Sequence, residues 1–319
     1  MNESNSTGED PWIKFSIDYR VAVTCLLVPV GTVGNVLTMV IMRRKTFAKN
    51  THSLFLTCLA AIDICILYTC LLPDTVTQAM RAPHLARSEF ACRANWYIMI
   101  VLTNISSWLL VVLSIERVIS VWLPFRAKQL CTKRTAVVAV AVIAITLSAF
   151  NVVLVLYRFS MPEPGVCYSA HGFWAWVNSV VYSFGPGSIM IVCSTSVIVK
   201  LWILPSTAGK SRKISGNVIM MIALNLSFLA TTSPVVILFA TTDITDQLSA
   251  GDGRAFVVVS VVQMLFYANS GVNFFLYALS GPQFRREALN VFYNASRRRV
   301  APSGNSAARS DNTPGSTVG

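Results

Sequence analysis

Apolar residues run through this chain in long unbroken blocks instead of recurring on one face of short elements. Seven blocks, near 20–43, 52–79, 90–122, 134–157, 174–203, 214–241 and 255–279, each reach the roughly 20 residues that span a hydrocarbon core about 30 Å thick. Strands of a membrane barrel would be about 10 residues long and strictly alternating, which these are not. The pattern predicts an all-α membrane protein, a seven-transmembrane helix bundle over 20–279. After the seventh block, Phe284, Leu289, Val291 and Phe292 lie between Arg285, Arg286 and Arg297, which predicts a short amphipathic helix over 280–295 on the inner membrane surface. Residues 296–319 are rich in Ser, Gly, Asn and Thr, as a disordered cytoplasmic tail would be. The link near 205–213 is short, so spans 5 and 6 must project together.

Composition agrees with this reading. Of the 319 residues, 54% are hydrophobic and 13% charged, against about 25% charged in a soluble domain. Most of the 26 Lys and Arg residues fall on one side, among them Arg43, Arg44, Lys45, Arg126, Lys128, Lys200, Lys210 and Arg285. The positive-inside rule then puts residues 1–19 in the extracellular space and the C-terminus in the cytosol, as expected of a multi-pass plasma-membrane protein. The net charge of +12 is thereby read as a topology signal and an attraction to anionic membrane lipid, with no nucleic-acid partner. The first 18 residues are too polar for a secretory signal, so span 1 is expected to act as an uncleaved anchor. Asn2-Glu3-Ser4 and Asn5-Ser6-Thr7 are glycosylation sequons in the outer segment. Of eight cysteines, only Cys92 and Cys167 fall on the oxidising side, where a disulfide would pin the loop between spans 4 and 5 over the bundle.

One carboxylate, Asp63, stands in the middle of the apolar run 54–72. An intramembrane acid is costly and is read first as functional. Asn35 in span 1, Ser106 in span 3, and Asn269 and Asn273 one helical turn apart in span 7 supply polar groups able to satisfy it.

At this point the chain resembles the rhodopsin-like (class A) G-protein-coupled receptors over about 20–295. The motifs are Gly34-Asn35-Val36, Leu59-Ala60-Ala61-Ile62-Asp63, Cys92 with Cys167, Ser114-Ile115-Glu116-Arg117, Pro124-Phe125, Pro186, Phe228 with Pro234, and Asn273 with Tyr277. The resemblance implies that Asp63, Asn35, Ser106, Asn269 and Asn273 form an allosteric sodium and water site, the sole cofactor expected. Glu116-Arg117 is similar to the acidic-Arg pair that closes the cytoplasmic end, and Phe125 to the knob that docks on the G-protein α subunit. The Gly185-Pro186-Gly187 and Pro234 breaks would bend spans 5 and 6.

The chain also departs from the family. Thr232 stands where an aromatic, commonly Trp, precedes the span 6 proline, and Phe274 replaces the proline after Asn273. Ser194 replaces a Tyr, span 4 has no Trp, and no cysteine follows span 7. Met99 occupies the aspartate position of aminergic receptors and Tyr267 the lysine position of opsins, which argues against both classes. The remaining outward cavity is expected to be lined by Gln78, Met99, Tyr182, Phe239, Gln263, Phe266 and Tyr267. The acids Glu163, Asp243, Asp246 and Asp252 at its mouth suit a basic ligand such as an amidated peptide, and the variant motifs resemble those of invertebrate neuropeptide receptors. The expectation is a neuropeptide receptor that activates a heterotrimeric G protein, with arrestin as a further partner and no enzymatic activity. A lipid or other apolar small-molecule ligand is the rival reading. An ion-coupled transporter is the distant one, since it would need further intramembrane ionisable residues or broken repeats.

Overall fold

The computed structural model describes residues 10–48, 50–80, 88–163, 166–169, 172–203, 216–241 and 252–300. The sequons at Asn2 and Asn5, the link 205–213, Asp243, Asp246 and residues 301–319 lie outside the described residues, as do the side chains of Glu163 and Cys167. Seven helices are long and apolar enough to cross a membrane: Pro11–Met42, Thr51–Ala79, Glu89–Trp122, Lys133–Tyr157, Phe173–Ile203, Val218–Thr241 and Gly253–Ser280, spans 1 to 7 below. Span 3 is the central element, with 67% of its apolar window buried, whereas span 4, at 17%, lies at the periphery. Apolar side chains such as Leu26, Val33, Ile145 and Val192 point outward, the surface that lipid would cover.

Span 1 begins nine residues earlier than the hydrophobic pattern placed it. Asp10 caps the helix by accepting the Trp12 N–H at 2.9 Å, and Pro11 occupies the first turn, where its missing N–H costs nothing. Residues 11–19 of the segment expected to be extracellular are therefore helix. Span 4 starts on a reciprocal cap, with Thr132 N donating to Thr135 Oγ1 at 2.9 Å and Thr135 N to Thr132 Oγ1 at 3.2 Å.

Prolines reshape two spans in a way hydropathy does not report. Pro73 and Pro186 each follow a single π-helical turn, Leu67–Leu71 in span 2 and Val180–Phe184 in span 5. A proline ring collides with the carbonyl four residues back, and a widened turn makes room for it. In span 5 the widened turn brings Val180 O against residue 185, where a Cβ would lie 2.7 Å from that oxygen. Gly185 is required there.

Two features add detail to the expected all-α bundle. The connection between spans 4 and 5 carries a short antiparallel hairpin, β1 (Phe159–Glu163) with β2 (Val166–Ser169). The sequence between the strands, Pro164-Gly165, is a turn dipeptide. Buried Phe159 stacks on Trp96 of span 3 at 4.6 Å, and its carbonyl accepts from Arg93 Nε at 3.0 Å. Cys92 beside them is disulfide-bonded, while the six cysteines other than Cys92 and Cys167 are free. The second feature is the helix after span 7, which runs Pro282–Val300 and so takes in the first residues of the expected tail. Phe284 anchors it, buried against Phe274 and Tyr277 with ring centroids 5.7 and 5.6 Å away.

Spans 1 and 7 approach backbone to backbone through Gly31 and Gly271, as small residues permit in membranes. A Cβ on Gly31 would lie 2.7 Å from Leu67 Cδ1 and 3.2 Å from the Gly271 Cα. Gly31→Val is accordingly expected to cost about 2 kcal/mol of stability. Thermal unfolding of the purified protein in detergent checks this, with a lowered midpoint as the expected outcome.

Candidate functional site

Between the helices, at the end of the bundle that carries the hairpin, opens a cavity of about 370 Å³. This falls in the range of small-molecule and peptide-terminus sites. All seven side chains expected to line an outward pocket border it: Gln78, Met99, Tyr182, Phe239, Gln263, Phe266 and Tyr267. Trp96, Phe159, Phe256 and Val259 extend the apolar wall.

The cavity also holds a charge pair that the sequence pattern concealed. Arg20 of span 1 is buried at 4% exposure, and its Nη1 donates to Asp74 Oδ2 of span 2 at 2.8 Å. Arg20 Nε donates to Ser260 Oγ at 2.8 Å, and Nη2 bonds Gln263 Oε1, both in span 7. Asp63 is therefore not the sole charge carried inside the apolar runs. Hydropathy missed the pair because both members sit near the ends of the apolar runs 20–43 and 52–79, where charges are ordinary. The available signal was that Arg20 belongs to a helix already begun at Pro11.

Deeper in the bundle Asp63 is wholly buried, and Asn273 Nδ2 donates to its Oδ2 at 2.7 Å. The other members of the expected cluster are only partly convergent. Asn35 Nδ2 donates instead to the Ser270 carbonyl at 2.8 Å, tying span 1 to span 7. Asn269 Oδ1 accepts from Thr231 Oγ1 of span 6 at 3.3 Å. Asp63 Oδ1 and Ser106 Oγ are buried without a hydrogen-bond partner among the described residues. A void of about 10 Å³ borders Ser106, Asn269 and Ser270, about the space of one water. Ser270, absent from the expected set, is a further polar neighbour of Asp63.

The positions that depart from the family are filled by compensating contacts. Thr232 is fully buried, and its hydroxyl donates to Phe228 O at 2.8 Å and meets Ser183 Oγ at 3.4 Å. Tyr182 bridges the cavity floor to span 6, with its ring 5.8 Å from Phe266 and 6.0 Å from Phe228. Asn104 Nδ2 donates to Asn151 Oδ1 at 3.1 Å, joining spans 3 and 4 where no Trp is present. Trp108 Nε1 donates at 3.0 Å to Val181 O, within the π turn of span 5. Phe274, in place of proline, packs where a Cβ on Gly34 would come within 2.9 Å of its own Cβ.

At the opposite end of the bundle, Glu116 and Arg117 are not joined by an ion pair among the described residues. Among those residues Glu116 Oε2 and Arg117 Nε and Nη2 are buried without a hydrogen-bond partner, where an acidic-Arg clasp was expected. Adjacent helix residues diverge around the axis and do not face one another. Closure falls instead to Asn225 of span 6, whose Nδ2 donates at 3.0 Å both to Ser114 Oγ of span 3 and to Ser194 Oγ of span 5. Ser114 Oγ also lies 3.3 Å from Asn225 Oδ1. Beyond them Pro124 starts the short helix Pro124–Leu130, on which Phe125 is 91% exposed. Tyr277 is buried with its hydroxyl unpartnered, and Pro234 lies inside span 6.

Asn225→Leu keeps the volume and removes both bonds to the serines. The expected loss is about 1 kcal/mol in thermal unfolding. Adding Ser114→Ala to Asn225→Leu should then cost almost nothing further, a non-additivity that a double-mutant cycle reads directly.

Comparison with known proteins fits this geometry. The family model described as 7 transmembrane receptor (rhodopsin family) matches residues 34–277. Similar proteins include galanin receptor type 2 of Homo sapiens, 25% identical over 44% of this chain and 36% of that receptor. Somatostatin receptor type 5 of Rattus norvegicus is 24% identical over 90% of this chain and 83% of its own length. The allatostatin-A receptor of Bombyx mori is 23% identical over 83% of this chain and 76% of its own. The alignments with the galanin and mouse thyrotropin-releasing hormone receptors span only about a third of those relatives, 36% and 34%. A seven-helix bundle, a buried Asp63–Asn273 core and a family match over most of the chain lead to one conclusion: this protein belongs to the rhodopsin family of seven-transmembrane receptors.

Proposed function

We propose that this chain is a plasma-membrane receptor that binds an extracellular peptide in the 370 Å³ cavity and activates a heterotrimeric G protein at the Arg117 end. The observation that carries the reading is the pairing of two opposed surfaces through one polar core. One surface is the cavity, with apolar walls and a few fixed polar groups. The other holds Arg117, two of whose guanidinium nitrogens are buried without a partner among the described residues, at the end of the bundle where Phe125 is exposed. The relatives whose names specify a ligand are receptors for galanin, thyrotropin-releasing hormone, somatostatin and allatostatin-A, which supports a peptide over a lipid. The excess of Lys and Arg at the Arg117 end supports a cytosolic position for it and an extracellular one for the cavity. Arrestin would use the same cytosolic face.

Activation in this reading is a shift between two packings of the bundle. A peptide terminus entering the cavity presses on Phe266 and on Tyr182, whose ring packs against both Phe266 and Phe228 of span 6. Movement of span 6 then breaks the Asn225 bonds to Ser114 and Ser194 and uncovers Arg117. What supports sodium in the polar core is that Asp63 Oδ1 and Ser106 Oγ have no hydrogen-bond partner among the described residues, and that Ser106 and Asn269 border the small void nearby. Asp63, Ser106, Asn269 and Asn273 would hold it, whereas Asn35 is committed to Ser270. The ion supplies positive charge against Asp63 and so favours the closed packing.

Cells expressing the chain are to be screened with pools of amidated peptides and of lipids, with G-protein nucleotide exchange as the readout. Activation by a peptide pool is the expected result; activation by lipids alone contradicts the proposal. Arg117→Ala is expected to abolish exchange while surface expression holds, and unchanged exchange would remove that residue from the switch. Sodium is expected to weaken binding of the active peptide pool about tenfold in the native chain and to have no effect in Asp63→Asn; equal salt dependence in both removes the ion site.

A further inference from the structure

Resting on the assignment of the cavity as the ligand site, we infer that Asp74, held in place by Arg20, is the anchor for an N–H-donating end of the ligand. The class this selects is molecules that end in a carboxamide, and it excludes those that end in a carboxylate.

Arg20 is spent on the protein itself. Each of its three side-chain nitrogens bonds a neighbour: Nε to Ser260, Nη1 to Asp74 and Nη2 to Gln263. At 4% exposure it offers little surface to an incoming anion. Asp74 differs, because its side chain is 32% exposed, it borders the cavity, and Arg20 occupies only Oδ2. The other oxygen, Oδ1, has no protein partner among the described residues and remains an open acceptor. A second acceptor faces the cavity from span 5, where Asn178 Oδ1 is buried and unpartnered. A ligand that supplies an N–H group satisfies Asp74 Oδ1, whereas a carboxylate meets Asp74 as a like charge and finds Arg20 already bonded.

Charge separates an amide from an amine. Arg20 and Asp74 cancel, so the subsite is neutral in sum, and burying an ammonium there would leave one uncompensated charge in an apolar cavity. A carboxamide brings two N–H donors and no net charge. Its apolar neighbours in the ligand would lie against Met99, Phe239 and Phe266.

The test measures binding of three matched probes, acetyl-Phe-Leu amide, acetyl-Phe-Leu acid and the corresponding terminal amine, to the purified full chain in lipid nanodiscs. The amide is expected to bind the native chain about tenfold more tightly than the acid, from the one charge-assisted hydrogen bond it gains, and more tightly than the amine. Asp74→Asn should remove the preference for amide over acid and raise the affinity of the acid, since Arg20 is then freed. Should that variant not fold, the paired change Arg20→Gln with Asp74→Asn removes both charges at similar volume, and the amide and acid should then bind alike. Equal binding of amide and acid to the native chain, tighter binding of the amine, a preference that survives in the folded variant, or no binding of any probe overturns the proposal. Nucleotide exchange is measured separately. A chain that binds the amide selectively without activating a G protein refutes the receptor reading and leaves this one standing, and a chain activated by peptide acids does the reverse.

Discussion

Every polar group carried into an apolar bundle must find its partner inside that bundle, and the Asp63–Asn273 bond is where this constraint is most severe. A wholly buried carboxylate is costly in a low-dielectric interior unless hydrogen-bonded. Meeting that demand fixes the rotation of spans 2 and 7 about their axes. Span 7 then presents Ser270 to Asn35 of span 1, Asn269 to Thr231 of span 6, and the cavity residues Gln263, Phe266 and Tyr267 toward the opposite end. The cavity and the Arg117 end are thus built on the same helices that the buried acid aligns.

Three substitutions at positions where the family carries larger or stiffer residues show how the bundle tolerates change. Thr232 in place of an aromatic bonds the Phe228 carbonyl and meets Ser183 in the π turn of span 5, where the neighbouring Tyr182 packs edge-on against the Phe228 ring. Phe274 in place of proline leaves span 7 an α-helix through Ser280 and packs its ring between Gly34 and Phe284. Ser194 in place of Tyr is short enough to share Asn225 with Ser114. At Thr232 and Ser194 small hydroxyl residues make the contacts between helices, whereas Phe274 makes them with a larger ring, so connection between helices is kept without keeping the residue.

Legibility in the sequence followed the strength of the physical signal. Long apolar runs gave all seven spans to within a few residues except at the start of span 1, where an Asp-Pro cap outweighed the polarity of Lys14, Asp18 and Arg20. The seven cavity residues could be placed because they lie on aromatic and amide-bearing stripes whose helices were already assigned. Arg20–Asp74 could not be found in that way, since pairing across three helices is a tertiary fact and each residue alone resembles a charge at a span end. The two π turns, the hairpin and the missing Glu116–Arg117 pair were hidden for a related reason: periodicity averages over single turns and reports nothing of which rotamer a side chain takes. Asn104 and Asn225, which match glycosylation sequons by chance, prove to be interior hydrogen-bonding residues.

The central claim is that one polar core holds two alternative packings of the bundle, closed around Asn225 and open around Arg117. The measurement that tests it most directly is the distance between spin labels on Leu123, just after span 3, and Ile219 of span 6, both exposed near the Arg117 end, recorded with and without nucleotide-free G protein. The account predicts a population at longer separation that grows when the G protein is added. A single distance, unchanged by the partner, would contradict it.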